Sequence, residues 1–171
     1  IKVIRKEHFE TMKDGAIVQI GSPEEILTDP ANEYVERFVE NVDITKVLTA
    51  ESVMRKPGTV AYLSSDGPRA VLRKMKVHGI SNIFAVDRDR RLVGLIHALD
   101  ASQLLEEGSR DLLSITQREV QTVSMDTPAA DLIQIIHDLP YPLAVVGDDN
   151  HLKGIIVRGQ VLGAIAERGR N

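Results

Sequence analysis

The sequence predicts an α+β fold: two β-α-β-β-α repeats packed as a pseudo-twofold pair, preceded by a small hairpin-plus-helix segment. Three observations carry this. The chain matches itself at an offset of 60 positions, so that Leu92-Val93-Gly94-Leu95-Ile96 meets Leu152-Lys153-Gly154-Ile155-Ile156. Within each copy, short apolar runs suited to strands alternate with segments of helical period. Ahead of the first copy, an Asp14-Gly15 turn signal is followed by two capped helix starts.

Met12 to Gly21 reads as a hairpin about Asp14-Gly15. Ser22-Pro23-Glu24-Glu25 then opens a helix. Ser22 is its cap, Pro23 takes the first position and Glu25 completes a capping box. Pro30 interrupts that helix, and Asn32 caps a second one through Tyr34, Val35, Phe38 and Val39.

Copy one begins with an extended piece, Thr59 to Leu63, matched by Val120 to Val123 in copy two. A helix starting with Pro68, or Pro128, follows, with Asp66 and Asp126 placed to serve its exposed N–H groups. Strands at Asn82 to Val86 and Leu92 to His97, joined by the polar turn Asp87 to Arg91, correspond to Pro142 to Val146, Gly147 to His151 and Leu152 to Val157. Helices near Leu99 to Glu106 and Gly159 to Glu167 close the copies. Val60/Val120, Ser64/Ser124, Pro68/Pro128, Leu72/Leu132 and Val86/Val146 keep the same register without a gap.

The first helices differ. In copy one, Val71, Leu72 and Met75 form an apolar stripe, and Arg69, Arg73 and Lys76 a basic one. The basic stripe reads either as a solvated face or as a contact for anionic lipid headgroups. In copy two, Ala129, Leu132, Ile133, Ile135 and Ile136 wrap most of the helix in apolar surface. Such a helix is buried on more than one side, against the sister copy or in a homodimer interface built on Leu132, Ile133 and Ile136.

The chain of 171 residues is 43% hydrophobic and 27% charged, ordinary for a globular protein. Its net charge of −4 gives no steer toward nucleic acid. It has no Cys, which excludes disulfides, thiolate metal sites and cysteine nucleophiles and suits a reducing compartment. No apolar run approaches the roughly 20 residues of a membrane helix. The five His residues show no metal-ligand spacing. No phosphate-binding loop, Ser-Gly-Gly-Gln signature or nucleophile elbow occurs. The chain opens on Ile1 without an initiator Met, as a fragment or excised segment would.

The paired β-α-β-β-α unit, preceded by Ala50-Glu51-Ser52-Val53-Met54, resembles a tandem of cystathionine-β-synthase (CBS) domains over about Asp43 to Arg168. The preceding hairpin, Ser-Pro-Glu-Glu-Ile-Leu and Pro-Ala-Asn-Glu-Tyr-Val resemble the C-terminal edge of an ABC transporter ATPase, specifically the glycine betaine/proline importer ATPases. Ile1 to Thr11 depart from that pattern, where a hydrophobic strand belongs. The resemblance divides the chain into an ATPase remnant at 1–42 and repeats at 43–108 and 109–171. It implies a non-catalytic regulatory module that senses ATP, AMP or cyclic di-AMP, or ionic strength, and gates an osmoprotectant importer. It also implies a homodimer, attachment to the rest of the ATPase and the transporter's membrane subunits, and a place in the cytoplasm at the inner face of the membrane. A ligand-free structural dimerisation module is the alternative.

The resemblance also assigns a site. In CBS domains the second core strand runs into Gly-x-x-Thr/Ser-x-x-Asp, and the Asp holds a ribose, whose two adjacent hydroxyls suit a carboxylate's two acceptor oxygens. Copy one keeps this as Gly94 through His97 to Asp100, with Ala61 and Tyr62 as further ligand-binding positions and His97 able to donate to a phosphate. Copy two places Val157 and Gln160 there, so at most one standard site is expected. The bland reading of Asp100 is a helix cap.

Overall fold

A computed structural model describes residues 9–13, 15–40, 42, 44–161 and 163. The first unit pairs β1 (Phe9–Lys13) with β2 (Ala16–Gly21) and adds α1 (Pro23–Thr28) and α2 (Glu33–Val39). Phe9 to Thr11, set apart in the sequence, are therefore part of the hairpin; residues 1–8 and Asp14 lie outside the described residues. The expected caps form. Ser22 Oγ accepts from Glu25 N–H, and Ser22 N–H donates to Glu25 Oε2 at 2.7 Å. Asn32 Oδ1 accepts from Tyr34 and Val35 N–H, both at 3.1 Å. Gln19 then ties the helices to the hairpin by bonding Asp29 O and Ala31 N–H.

After the short α3 (Ile44–Val47) and α4 (Ala50–Val53), two three-stranded sheets follow. The first contains β3 (Ala61–Tyr62), β4 (Asn82–Val86) and β5 (Leu92–His97), covered by α5 (Pro68–His78) and α6 (Ala98–Glu106). The second contains β6 (Thr122–Val123), β7 (Leu143–Val146) and β8 (Leu152–Ile156), with α7 (Ala129–His137) and helical residues from 158. In each sheet the first pair is parallel and the second antiparallel. The β-α-β-β-α order expected from the repeat is thus observed. The expected last helix of copy two, Gly159 to Glu167, lies partly outside the described residues.

The central strands of the two repeats, β4 and β7, are mostly apolar because both faces are buried. Ile83 and Ala85 enter the core of the first repeat, whereas Phe84 and Val86 enter a core shared between the repeats. Leu143 and Val145 face the second repeat's core, and Ala144 faces the shared one. The shared core, with Val60, Leu92, Leu95, Leu152 and Ile155, joins the pseudo-twofold pair.

A linear division hides an exchange. Ala50 and Val53 pack in the core of the second repeat, and Arg55 bonds Ile155 reciprocally at 3.0 and 2.9 Å. Reciprocally, a 3-10 turn, Leu112–Ile115, puts Leu112 in the core of the first repeat, and Gln117 pairs with Leu95 at 2.9 Å in both directions. Each segment leading into one repeat therefore adds an edge to the other's sheet. This explains the repeated glycine. A Cβ on Gly94 would collide with the Gln117 carbonyl, and one on Gly154 with Met54.

Two local expectations are corrected. Pro128 is the residue before α7 rather than its first residue, although Pro68 does open α5. Asp66 does not serve the helix start. It accepts from Tyr62 N–H at 2.7 Å and pairs with Lys74 at 2.6 Å, a long-range brace in place of a cap. Asp126 likewise accepts from Ser124 Oγ.

Candidate functional site

β5 ends at His97, which is the cap position of α6 and makes no side-chain capping bond. Its ring nitrogens are engaged elsewhere, Nδ1 with Asn82 Oδ1 at 2.6 Å and Nε2 with Gln117 Oε1 at 3.1 Å. A neutral imidazole donates once and accepts once, so the two amides orient to match it. His97 therefore clamps β4, β5 and the exchanged segment together, and must leave one amide before it can donate to a ligand.

Asp100 lies in the first turn of α6, three residues beyond the cap, and makes no hydrogen bond or ion pair among the described residues. It is exposed and is not the N-cap of its helix. His97 and Asp100 share a groove of about 460 Å³ with Gln103, Glu107, Thr116 and Gln117. At the matching position of copy two, Gln160 Oε1 accepts from Val157 N–H at 3.1 Å. The copy-two side chain is thus turned onto its own backbone, whereas the Asp100 carboxylate stays open.

Ala61 and Tyr62 do not line that groove. Ala61 is fully buried in the core of the first repeat. Tyr62 packs against the shared core, its hydroxyl accepting from Arg90 at 3.3 Å and its ring 5.5 Å below Lys74 Nζ. The structure thus separates two of the four expected ligand positions from the other two.

A second concavity, about 260 Å³, opens between the repeats. Phe84, Pro142 and Val157 give it apolar walls, and Arg55, Lys56 and His78 a polar and basic border. That combination suits an aromatic base attached to phosphate. The sequence analysis expected no standard site in copy two, because Val157 and Gln160 replace the motif residues there. The available signal was the basic pair directly after Met54, whose reach into the second repeat depends on the segment exchange.

The dimer expectation on α7 is corrected for two residues. Leu132 and Ile136 are buried in the core of their own repeat, while Ile133 is 39% exposed. Helical spacing puts Leu132 and Ile136 on one face and Ile133 about 100° away. Arg69, Arg73 and Lys76 are all exposed on α5. Among the described residues, no group of three or more His, Asp or Glu could hold a metal ion, and no helix is long and apolar enough to cross a membrane.

The family model of the CBS domain matches residues 50–107 and 110–167. The glycine betaine/carnitine transport ATP-binding protein GbuA of Listeria monocytogenes is 47% identical over 94% of this chain, which covers 40% of that protein. The glycine betaine transport ATP-binding protein OpuAA of Bacillus subtilis is also 47% identical, over 91% of this chain and 36% of its own length. The chain thus spans about two fifths of these relatives. Among solved structures, Staphylococcus aureus OpuCA superposes with a TM-score of 0.59 at 24% identity, covering 67% of this chain and 97% of that one. CbpB in complex with c-di-AMP superposes with a TM-score of 0.65 at 18% identity, covering 78% and 94%. CBSX2 in complex with AMP gives 0.61 at 21%, covering 71% and 98%. At these identities the structural likeness establishes the fold.

Proposed function

The chain belongs to the CBS-domain family, and on that premise we propose that it is the regulatory end of the ATP-hydrolysing subunit of an osmoprotectant importer, sensing an adenine nucleotide to gate transport. The observation that carries this is the 47% identity to two glycine betaine ATP-binding proteins over nearly the whole chain. The β1–β2 and α1–α2 unit is then the edge of the ATPase domain. Exposed Met12, Ile17, Ile20 and Phe38 on that unit support its packing against the rest of that domain. The module works as a homodimer, held through the ATPase and the membrane subunits at the cytoplasmic face of the membrane.

ATP, AMP and cyclic di-AMP are the ligands to test, and relatives of the fold solved with AMP and c-di-AMP support that class. Asp100 holds the ribose, being the open carboxylate of the pair of motif positions. His97 leaves Asn82 or Gln117 to donate to a phosphate. The inter-repeat cleft with Arg55 and Lys56 is the second place where a nucleotide fits. Binding that reorganises His97 is felt in both β4 and the exchanged segment, which links ligand to module shape.

Calorimetry on the chain with each nucleotide tests this. Loss of a charge-assisted bond in Asp100→Ala lowers affinity about tenfold to a hundredfold. A nucleotide sensitive to Arg55→Gln and indifferent to Asp100→Ala occupies the inter-repeat cleft instead. If none of the three binds at millimolar concentration, the sensing role fails and the ligand-free dimerisation module replaces it, a reading that the self-bonded Gln160 favours for copy two.

A further inference from the structure

We propose that the cavity between the start of α5 and the end of α6 binds a phosphate group through Arg69, Arg73 and Arg110. The cavity measures about 600 Å³ and is separate from both concavities described above. Three arginines, Ser65, Ser109 and Gly67 are among the residues that line it, and no Asp or Glu is.

The three arginines come from two elements. Arg69 and Arg73 are one turn apart on α5, so they share a face and repel each other. Arg110 follows α6 in sequence and folds back over the start of α5. A Cβ built on Gly67 would lie 3.7 Å from its Nε and 3.8 Å from its Nη2. None of the three has an ion-pair partner among the described residues, whereas Lys74 on α5 pairs with Asp66. Three unneutralised cations on one cavity run against the net charge of −4. A phosphate relieves that repulsion, and its oxygens match the planar two-donor edge of each guanidinium. The first turn of α5 adds to this, because it carries no acidic residue and no side-chain cap.

This geometry redraws the basic stripe read from the sequence. Arg69 and Arg73 line the cavity; Lys76 does not, and Arg110, distant in sequence, takes its place. The recognised chemistry is a phosphate group, either free or on a lipid headgroup.

The experiment uses the full chain and two probes at matched ionic strength: inorganic pyrophosphate by calorimetry, and vesicles of phosphatidylglycerol in phosphatidylcholine by co-sedimentation. Pyrophosphate binding at one site per chain is expected. Arg110→Gln weakens it at least about tenfold, the loss of one charge-assisted contact, and Arg110→Lys restores part of it because the charge remains and the fork does not. Asp100→Ala leaves it unchanged, which separates this site from the nucleotide site. Vesicle binding without pyrophosphate binding, abolished by Arg110→Gln, supports the same site with a lipid as the phosphate source. Binding to neither probe, or binding that both Arg110→Gln and Arg69→Gln leave intact, overturns the proposal. All three arginines are exposed, so thermal unfolding of the variants should match that of the parent chain.

Discussion

Arg90 and Asn150 occupy matching positions in the two polar turns and bond across the pseudo-twofold axis into each other's repeat. Both are left-handed, with φ of +61° and +60°. The Asn150 carbonyl accepts from Leu92 N–H at 2.9 Å, and the Arg90 carbonyl from Leu152 N–H at 3.1 Å. Asn150 Nδ2 adds a bond to the Leu92 carbonyl at 2.9 Å. The two sheets are thus tied at their turns as well as through the shared core.

Asn150→Ala removes the side-chain bond and forces an alanine into a left-handed conformation, so it should destabilise the chain by about 1–3 kcal/mol. Asn150→Gly loses only the bond and should cost less, because glycine adopts that conformation freely. Urea unfolding checks the order. Equal losses would show that the left-handed backbone is not the constraint.

Gly94→Ala should be worse than Gly154→Ala. The added methyl on Gly94 meets a backbone carbonyl in a paired segment, and that on Gly154 meets the flexible Met54 side chain. Overpacking of this kind costs about 1–3 kcal/mol, with Gly94 expected at or beyond the upper end. Thermal unfolding of the two variants decides it; the reverse order would mean that the Gln117 segment yields more readily than Met54.

On α7, Leu132→Ala should cost about 2–5 kcal/mol, since it empties a fully buried site. Ile133→Glu should leave unfolding nearly unchanged and act, if anywhere, on oligomeric state. Sedimentation velocity paired with denaturant unfolding separates the effects. Lost stability in Ile133→Glu would put that side chain in the core.

Asp149 should titrate below the usual carboxylate range. The backbone N–H of His151 donates to its Oδ1 and is the largest cause, with the His151 side chain and Lys153 adding to it. The folded value is depressed, so its contribution to stability is present above the unfolded value and is lost as pH falls through the folded one. Carboxyl chemical shifts followed through an acid titration give the midpoint. Asp149→Asn should flatten the acid end of the stability curve, and an ordinary midpoint would contradict the assignment.

Local features were legible because their partners are near in sequence. The Ser22–Glu25 box and the Asn32 cap each join atoms within three residues of one another. The match of Gly94 with Gly154 marked the repeat, and the doubled motif placed Asp100 at the start of a helix. The site was less legible. Tyr62 and Asp100 belong to the same copy, yet the fold points them to different surroundings, and the inter-repeat cleft is assembled from residues as far apart as Lys56 and Val157.

By itself the sequence determined the two repeats, their element order and the capped helices, since hydrophobic period, turn chemistry and capping are written within a few residues. Only the tertiary structure decided that Ala50–Val53 serves the second repeat and Leu112 the first, that Asp66 braces Lys74, and that Leu132 and Ile136 face inward. Those outcomes depend on which distant apolar surface or hydrogen-bonding edge a segment meets, and the pattern of the segment alone fits more than one. Arg110 is the plainest case: only the return of the chain after α6 brings its guanidinium to the start of α5.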